Sequence, residues 1–379
     1  MARRDHLTEV IKVLHVVGAR PNFMKVAPVW EELRKDPRMR QVLVHTGQHY
    51  DPNMSEVFFQ DLGMPAPDAH LGAGSGSHAQ QTAKIMALVE PVIQRERPDV
   101  VVVVGDVNST VAVALVAAKL DVAVAHIEAG LRTWDWSMPE EVNRVLTDRM
   151  SELLFTPSRD ADENLAKEGI DLRRVHFVGN VMIDSLHAAL PRARESRIHE
   201  QLGVRKGEYA LATLHRPSNV DAPAALEKLL GALAEVSGRI PVVFPIHPRT
   251  RARLWSDASL RERVEGARGL KLAEPIGYLD FLALTANARL VMTDSGGIQE
   301  ETTALGVPCL TVRRNTERPV TVEVGTNTLV GTDPAQVLPA AMAVLEGRGK
   351  KGRVPDLWDG RAAERIARIL VKFCEERGR

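Results

Sequence analysis

The chain has 379 residues, and its 49 Lys and Arg balance its 49 Asp and Glu. That length exceeds one ordinary core and predicts two or three domains; zero formal charge gives no general attraction to nucleic acid or an anionic membrane. Its two cysteines, Cys309 and Cys374, lie outside any CxxC or Cys/His ligand spacing, which argues against a disulfide framework or a zinc ribbon and for a reducing, cytoplasmic compartment.

Short β-branched runs alternate with helical patterns along the chain. Strands are predicted at 10–17, 41–46, Val100–Val104, 122–127, 154–156 and 175–178. Helices fall between them at 22–33, 79–94, 109–120 and 140–153, with Ser77 placed to cap the second. No run reaches the roughly 20 apolar residues of a membrane helix. Arg3 and Arg4 ahead of residues 10–17 lack the apolar core and cleavage site of a signal peptide. A second series of strands follows a polar stretch near 191–200, at 209–214, 241–246, Leu270–Ala273, Leu290–Thr293 and 308–312. Helices at 224–236 and Tyr278–Ala286 separate them, and 360–376 forms a closing amphipathic helix. Continuous apolar strands with helices between them predict parallel sheets covered on both faces, and two series predict two doubly wound domains.

Ligands bind beyond the carboxyl ends of such strands, so the residues after each strand carry the functional information. Arg20 and Lys25 flank a helix start, either as an anion site or as solvated charge. Asp106 either caps the helix after Val104 or faces the functional rim. Glu128 ends a buried strand where propensity gives no reason for a carboxylate. Pro139 and Glu140 satisfy helix-start rules, which leaves Glu140 with a structural or a functional reading. In the second series His215 and Arg216, then His247, follow strands. Asp294-Ser295-Gly296-Gly297 makes a strand-to-helix turn through which backbone amides can approach a phosphate. Glu301 lies four residues past Gly297 on the same helix face, in position to accept from ribose hydroxyls. Arg318 is placed to neutralise a pyrophosphate. The glycines at 72, 74 and 76 lack a dinucleotide fingerprint and read as a mobile loop.

As a set, GARPNFMKVAP, HTGQHYD, GDVNST, HIEAGLRT, MPEEVNR, LHRPSN, TDSGGIQEE and RNTERP resemble the non-hydrolysing UDP-N-acetylglucosamine 2-epimerases in order and spacing. The resemblance spans nearly the whole chain. It implies an α/β fold of two Rossmann-like doubly wound domains facing across a cleft, the glycosyltransferase-B type. It implies an N-terminal domain at 1–190 with the catalytic acids, a UDP-binding domain at 191–359, and a helix at 360–379 crossing back. The family's catalytic residues fall on Asp106, Glu128, Glu140 and His215. Its substrate contacts fall on Arg20, Lys25, Phe281, Ser295, Gly296, Gly297, Glu301 and Arg318, to which the strand-end residues Arg216 and His247 are added. The implied partners are a UDP-sugar and a second copy of the chain, with no nucleic acid and no membrane. No metal and no cofactor is implied.

The implied chemistry is loss of UDP from C1 with removal of the C2 proton, giving 2-acetamidoglucal, then readdition with protonation on the other face. Carboxylates move the proton, and cationic groups with helix N-termini stabilise the departing pyrophosphate. Ser218 and Val320 depart from the family's glutamates, and Ile276 from a frequent glutamine. Asp51 and the 72–76 segment also depart, beside a second UDP-GlcNAc site often used for activation. The rival readings are a hydrolysing 2-epimerase, a 2-epimerase of a UDP-2,3-diacetamido sugar, a glycosyltransferase, and a non-catalytic UDP-sugar binder.

Overall fold

The computed structural model describes residues 10–48, 63–221, 223–246 and 248–377. The chain forms two compact units, Met1–Ser185 with Asp356–Arg379, and Leu186–Pro355.

The first unit runs β1 (Ile11–Val17), α1 (Arg20–Leu33), β2 (Met39–His45), β3 (Ala69–His70), α2 (His78–Glu96), β4 (Val100–Val104), α3 (Asn108–Lys119), β5 (Ala123–Ile127), α4 (Pro139–Met150), β6 (Leu153–Thr156), α5 (Arg159–Lys167), β7 (Val175–Phe177) and α6 (Val181–Arg194), in which the boundary falls. Its seven parallel strands are ordered β3-β2-β1-β4-β5-β6-β7. The five valines of β4 are at most 1% exposed, as a central strand covered on both faces requires. Ser77 accepts from the Gln80 amide in a capping box and starts α2, as its spacing predicts. The helix expected over 140–153 ends at Met150. Ser151 is extended, and Leu153 pairs with Ala125 in the sheet, where its apolar surface is buried.

The second unit runs α7 (Ile198–Leu202), β8 (Ala210–Thr213), α8 (Pro217–Val220), α9 (Pro223–Ser237), β9 (Val242–Pro245), α10 (Pro248–Ser256), α11 (Ala258–Gly266), β10 (Leu270–Ala273), α12 (Tyr278–Ala286), β11 (Leu290–Thr293), α13 (Gly296–Leu305), β12 (Cys309–Thr311), α14 (Pro319–Glu323), β13 (Asn327–Leu329) and α15 (Pro334–Leu345). Its six strands, also parallel, are ordered β10-β9-β8-β11-β12-β13. Leu230, Val242, Phe244, Leu254 and Leu290, all fully buried, anchor its core.

The chain returns to the first unit through Trp358, whose indole N–H donates to the Pro157 carbonyl at 2.9 Å. The last helix, α16 (Ala362–Arg377), packs on α1 and begins on the Asp184 carboxylate, which accepts from the Ala362 and Ala363 amides at 3.2 and 2.8 Å. Burial pushes the Asp184 carboxyl up to about 6.

The expected pair of doubly wound sheets is therefore present. Strand order reverses direction between β1 and β4 and again between β8 and β11, and these are the places where such sheets open a crevice. Among the described residues, no helix is long and apolar enough to cross a membrane.

Candidate active site

In the first unit, Asn22 stitches the two diverging strands together. Its Oδ1 accepts from the Gly18 and Ala19 amides at 3.1 and 2.9 Å, and its Nδ2 donates to the Val104 carbonyl at 3.1 Å. One turn along α1, buried Lys25 forms an ion pair with buried Glu128. Solvated loop charge is thus excluded for Lys25. Glu128 adopts φ +69°, a left-handed conformation that costs a non-glycine residue roughly 1 kcal/mol. Gly105, with φ +68°, lies against this pair: a β-carbon there would stand 3.4 Å from Lys25 Nζ and 3.5 Å from Glu128 Oε2.

Asp106 follows Gly105 in the chain. The N-cap of α3 is Val107, with no side-chain cap bond, so Asp106 does not cap that helix. Instead it accepts from Arg144 Nη2 at 2.8 Å and Nε at 3.1 Å, while its side chain stays 32% exposed. Asn143 Nδ2 donates to the Asp106 carbonyl at 2.9 Å. These bonds fasten α4 to the end of β4 and leave Glu140 exposed on the first turn of that helix. The neighbouring Glu141 is buried and accepts from the Thr133 and Trp134 amides, so the two adjacent glutamates stand in different surroundings. Glu128 and the chain neighbour Asp106 thus flank Gly105, and Glu140 stands on the first turn of the helix that Asn143 and Arg144 fasten to this strand end.

Beneath the acids lies a chain of buried polar groups that sequence reasoning missed. His126 Nδ1 is 2.6 Å from Asp148 Oδ1, and its Nε2 is 2.9 Å from the Gly105 carbonyl. Asp148 Oδ2 accepts from Gly130 N and Arg132 Nη2 at 3.1 and 2.7 Å, and Arg132 makes a two-point pair with Glu168. Burial alone would push the Asp148 carboxyl up; its interactions with His126 and Arg132 outweigh that and hold it below the ordinary range.

In the second unit, Asp294 organises the strand ends. It is fully buried and accepts from the His215 amide at 3.0 Å, the Arg216 amide at 2.9 Å and Asn219 Nδ2 at 3.0 Å, with His215 Nδ1 at 2.8 Å. Burial raises its carboxyl, yet the His215 ring and these N–H groups bring it below the usual value. The His215 side chain remains 47% exposed. Ser295 is the N-cap of α13 but makes no side-chain cap bond, so the Gly296–Gly297 turn keeps its first amides clear of a cap side chain. A β-carbon at Gly296 would stand 2.6 Å from Arg318 Nη1 and 2.8 Å from Glu317 Oε1, so any side chain there would displace the ends of these two side chains. Arg318 pairs with Glu300 at 2.6 Å and with Glu317, and Glu317 also binds Arg313 at 2.8 Å. Arg216 Nη2 lies 3.9 Å from Glu317. Phe281 is half-buried on α12. Glu301 is buried, and desolvation followed by the Glu300 charge pushes its carboxyl up to about 8.

His247 and Asp51 lie outside the described residues, as do the side chains of Arg20 and Ser218. The glycine loop at 72–76 is tied down: Ala73 N donates to Thr46 O, Gly74 N to Gly47 O, and the Gln81 side-chain Nε2 to Gly74 O. Asp294, Glu317, Glu300, Arg144 and Asp148 were not singled out from the sequence, although Asp294 stands inside the most informative motif.

Two parallel-sheet units, each placing charged side chains and glycine turns at its strand reversal, define a doubly wound α/β protein. Residues 31–371 match the family model described as UDP-N-acetylglucosamine 2-epimerase, and the chain belongs to that epimerase family. It is 42% identical over 366 residues to the UDP-N-acetylglucosamine 2-epimerase of Methanocaldococcus jannaschii, covering 95% of this chain and 99% of that protein. The crystal structure of the M. jannaschii enzyme in complex with UDP-GlcNAc and UDP matches with a TM-score of 0.86 over 96% of this chain and 100% of that one, at 42% identity. A UDP-2,3-diacetamido-2,3-dideoxy-D-glucuronate 2-epimerase of Pseudomonas aeruginosa is 41% identical over 366 residues, covering 96% of this chain and 100% of that protein.

Proposed function

We propose that this protein interconverts UDP-N-acetylglucosamine and UDP-N-acetylmannosamine without hydrolysis. The observation that carries the reading is that Asp106 and Glu128 flank Gly105, with the Lys25 ammonium offsetting the Glu128 charge. A carboxylate takes the C2 proton as the C1–O bond to UDP breaks, giving 2-acetamidoglucal and UDP. UDP oxygen then re-forms the bond to C1, and an acid of this set returns a proton to the opposite face of C2. Asp106, Glu128 and Glu140 are the proton-handling groups, and His215 assists beside the diphosphate. The amides at Gly296 and Gly297, with Arg216 and Arg318, take the charge of departing UDP. Ser295, Phe281 and Glu301 contact the nucleoside, and Arg20, Lys25 and His247 complete the substrate-binding set.

Incubation with UDP-GlcNAc in deuterated water tests this. Deuterium at C2 together with UDP-ManNAc supports epimerisation. Free N-acetylmannosamine with UDP would replace it with hydrolysis, and no exchange in any UDP-N-acetylhexosamine would overturn the reading. A second reading, a UDP-sugar with acetamido groups at C2 and C3, is favoured by the near-equal identity to the Pseudomonas protein. The ratio of kcat/KM on the two substrates separates them. The reading also carries a homodimer in the cytoplasm, for which exposed Trp134, Trp136 and Leu146 supply apolar surface; sedimentation as a monomer removes the dimer.

A further inference from the structure

His126 is fully buried, and both its ring nitrogens face hydrogen-bond acceptors. The Gly105 carbonyl can only accept. Asp148 already takes the Gly130 amide and the Arg132 guanidinium on its other oxygen, as a carboxylate does. A neutral imidazole has one N–H and satisfies one of the two acceptors. An imidazolium satisfies both, through charge-assisted bonds that are shorter and stronger than neutral ones. Charge then alternates through the buried chain: His126 positive, Asp148 negative, Arg132 positive, Glu168 negative. The sum is zero, which is the condition for keeping a charge out of water.

We propose that Asp148 holds His126 as an imidazolium, and that this ring is a positioning residue for the acids of the first unit. Its Nε2–H pins the carbonyl of Gly105, and so fixes the peptide plane between Gly105 and Asp106. Its own strand leads two residues on to Glu128, which is held in a left-handed conformation. One buried ring therefore sets the direction of both carboxylates. The charged groups around it are Asp148 from α4, Arg132 after β5, Glu168 after α5, and Lys25 with Glu128 beside Gly105. The positioning role rests on the epimerase reading; the protonation state does not.

The test has two arms. Full-length protein labelled with nitrogen-15 at histidine is examined by NMR, with His126→Gln to assign the ring. The expected result is a proton on each ring nitrogen, one facing Asp148 and one facing the Gly105 carbonyl. A ring carrying a single proton overturns the imidazolium. In the second arm, Asp148→Asn is expected to lower kcat by roughly 10–100-fold, the usual effect of losing an orienting partner, with KM little changed. Unchanged kcat overturns the positioning role. A wild-type protein inactive on every UDP-sugar sinks the epimerase reading and the positioning role with it, while the NMR arm still decides the protonation state.

Discussion

Lys25 and Glu128 form a buried ion pair between α1 and the end of β5, with their side chains 8% and 3% exposed. Breaking such a pair is costly because the remaining charge stays buried, typically about 3–5 kcal/mol. Glu128→Gln is therefore expected to lose about 3 kcal/mol of stability and at least roughly 100-fold in turnover. Adding Lys25→Met recovers stability and leaves turnover low. Urea denaturation and C2 deuterium exchange read the two effects separately, and wild-type turnover in Glu128→Gln removes Glu128 from the acids.

Glu301 makes the second unit sensitive to pH. Its carboxyl stands near 8 in the folded protein against an ordinary 4.5. The folded state therefore binds the proton more tightly than the unfolded state. This favours folding most at low pH, and the advantage declines as pH rises through the window between those values, with a slope of about 1.4 kcal/mol per pH unit. Glu301→Gln should remove that slope. Denaturation midpoints at several pH values measure it, and identical pH profiles for the two proteins would contradict it.

Gly296→Ala should push Arg318 and Glu317 aside, because the new methyl would stand 2.6 and 2.8 Å from their polar atoms. The expected cost is about 1–3 kcal/mol of stability, with UDP bound roughly tenfold more weakly, the equivalent of about 1.4 kcal/mol. Calorimetric titration with UDP measures the affinity, and unchanged binding shows that Arg318 does not serve the nucleotide.

Asp294 and His215 should behave as one unit. Asp294→Asn and His215→Ala are each expected to reduce turnover, and the double variant should be little slower than the worse single one, since coupled residues are strongly non-additive. Additive losses, measured as kcat/KM, would show that they act independently.

The strands of both sheets were legible because β-branched runs such as Val100–Val104 have to be buried on both faces. The strands not foreseen, Ala69–His70 and Asn327–Leu329, are too short to carry a periodic signal. The ends of strands pointed to Asp106, Glu128, His215 and the Gly296 turn. Their partners were not legible, because an ion pair joins residues far apart in the chain: Arg144 reaches Asp106 across 38 positions and Lys25 reaches Glu128 across 103. Local rules also left a cap open for Asp106. A carboxylate just ahead of a helix suggests a cap, yet Arg144 takes it and leaves the N-cap position to Val107.

The Asp184 bonds to Ala362 and Ala363 give the chain path a further meaning. Asp184 sits at the point where the chain departs for the second unit, and Ala362 lies just beyond its return. In chain terms the second unit is an insertion whose outgoing and incoming ends are clasped together by the host. A clasp of this kind fixes the loop ends whatever lies between them, and closure cost rises only slowly with insert length. The start of the last helix is thus anchored by a contact within the host itself, whatever the length of chain between the two ends.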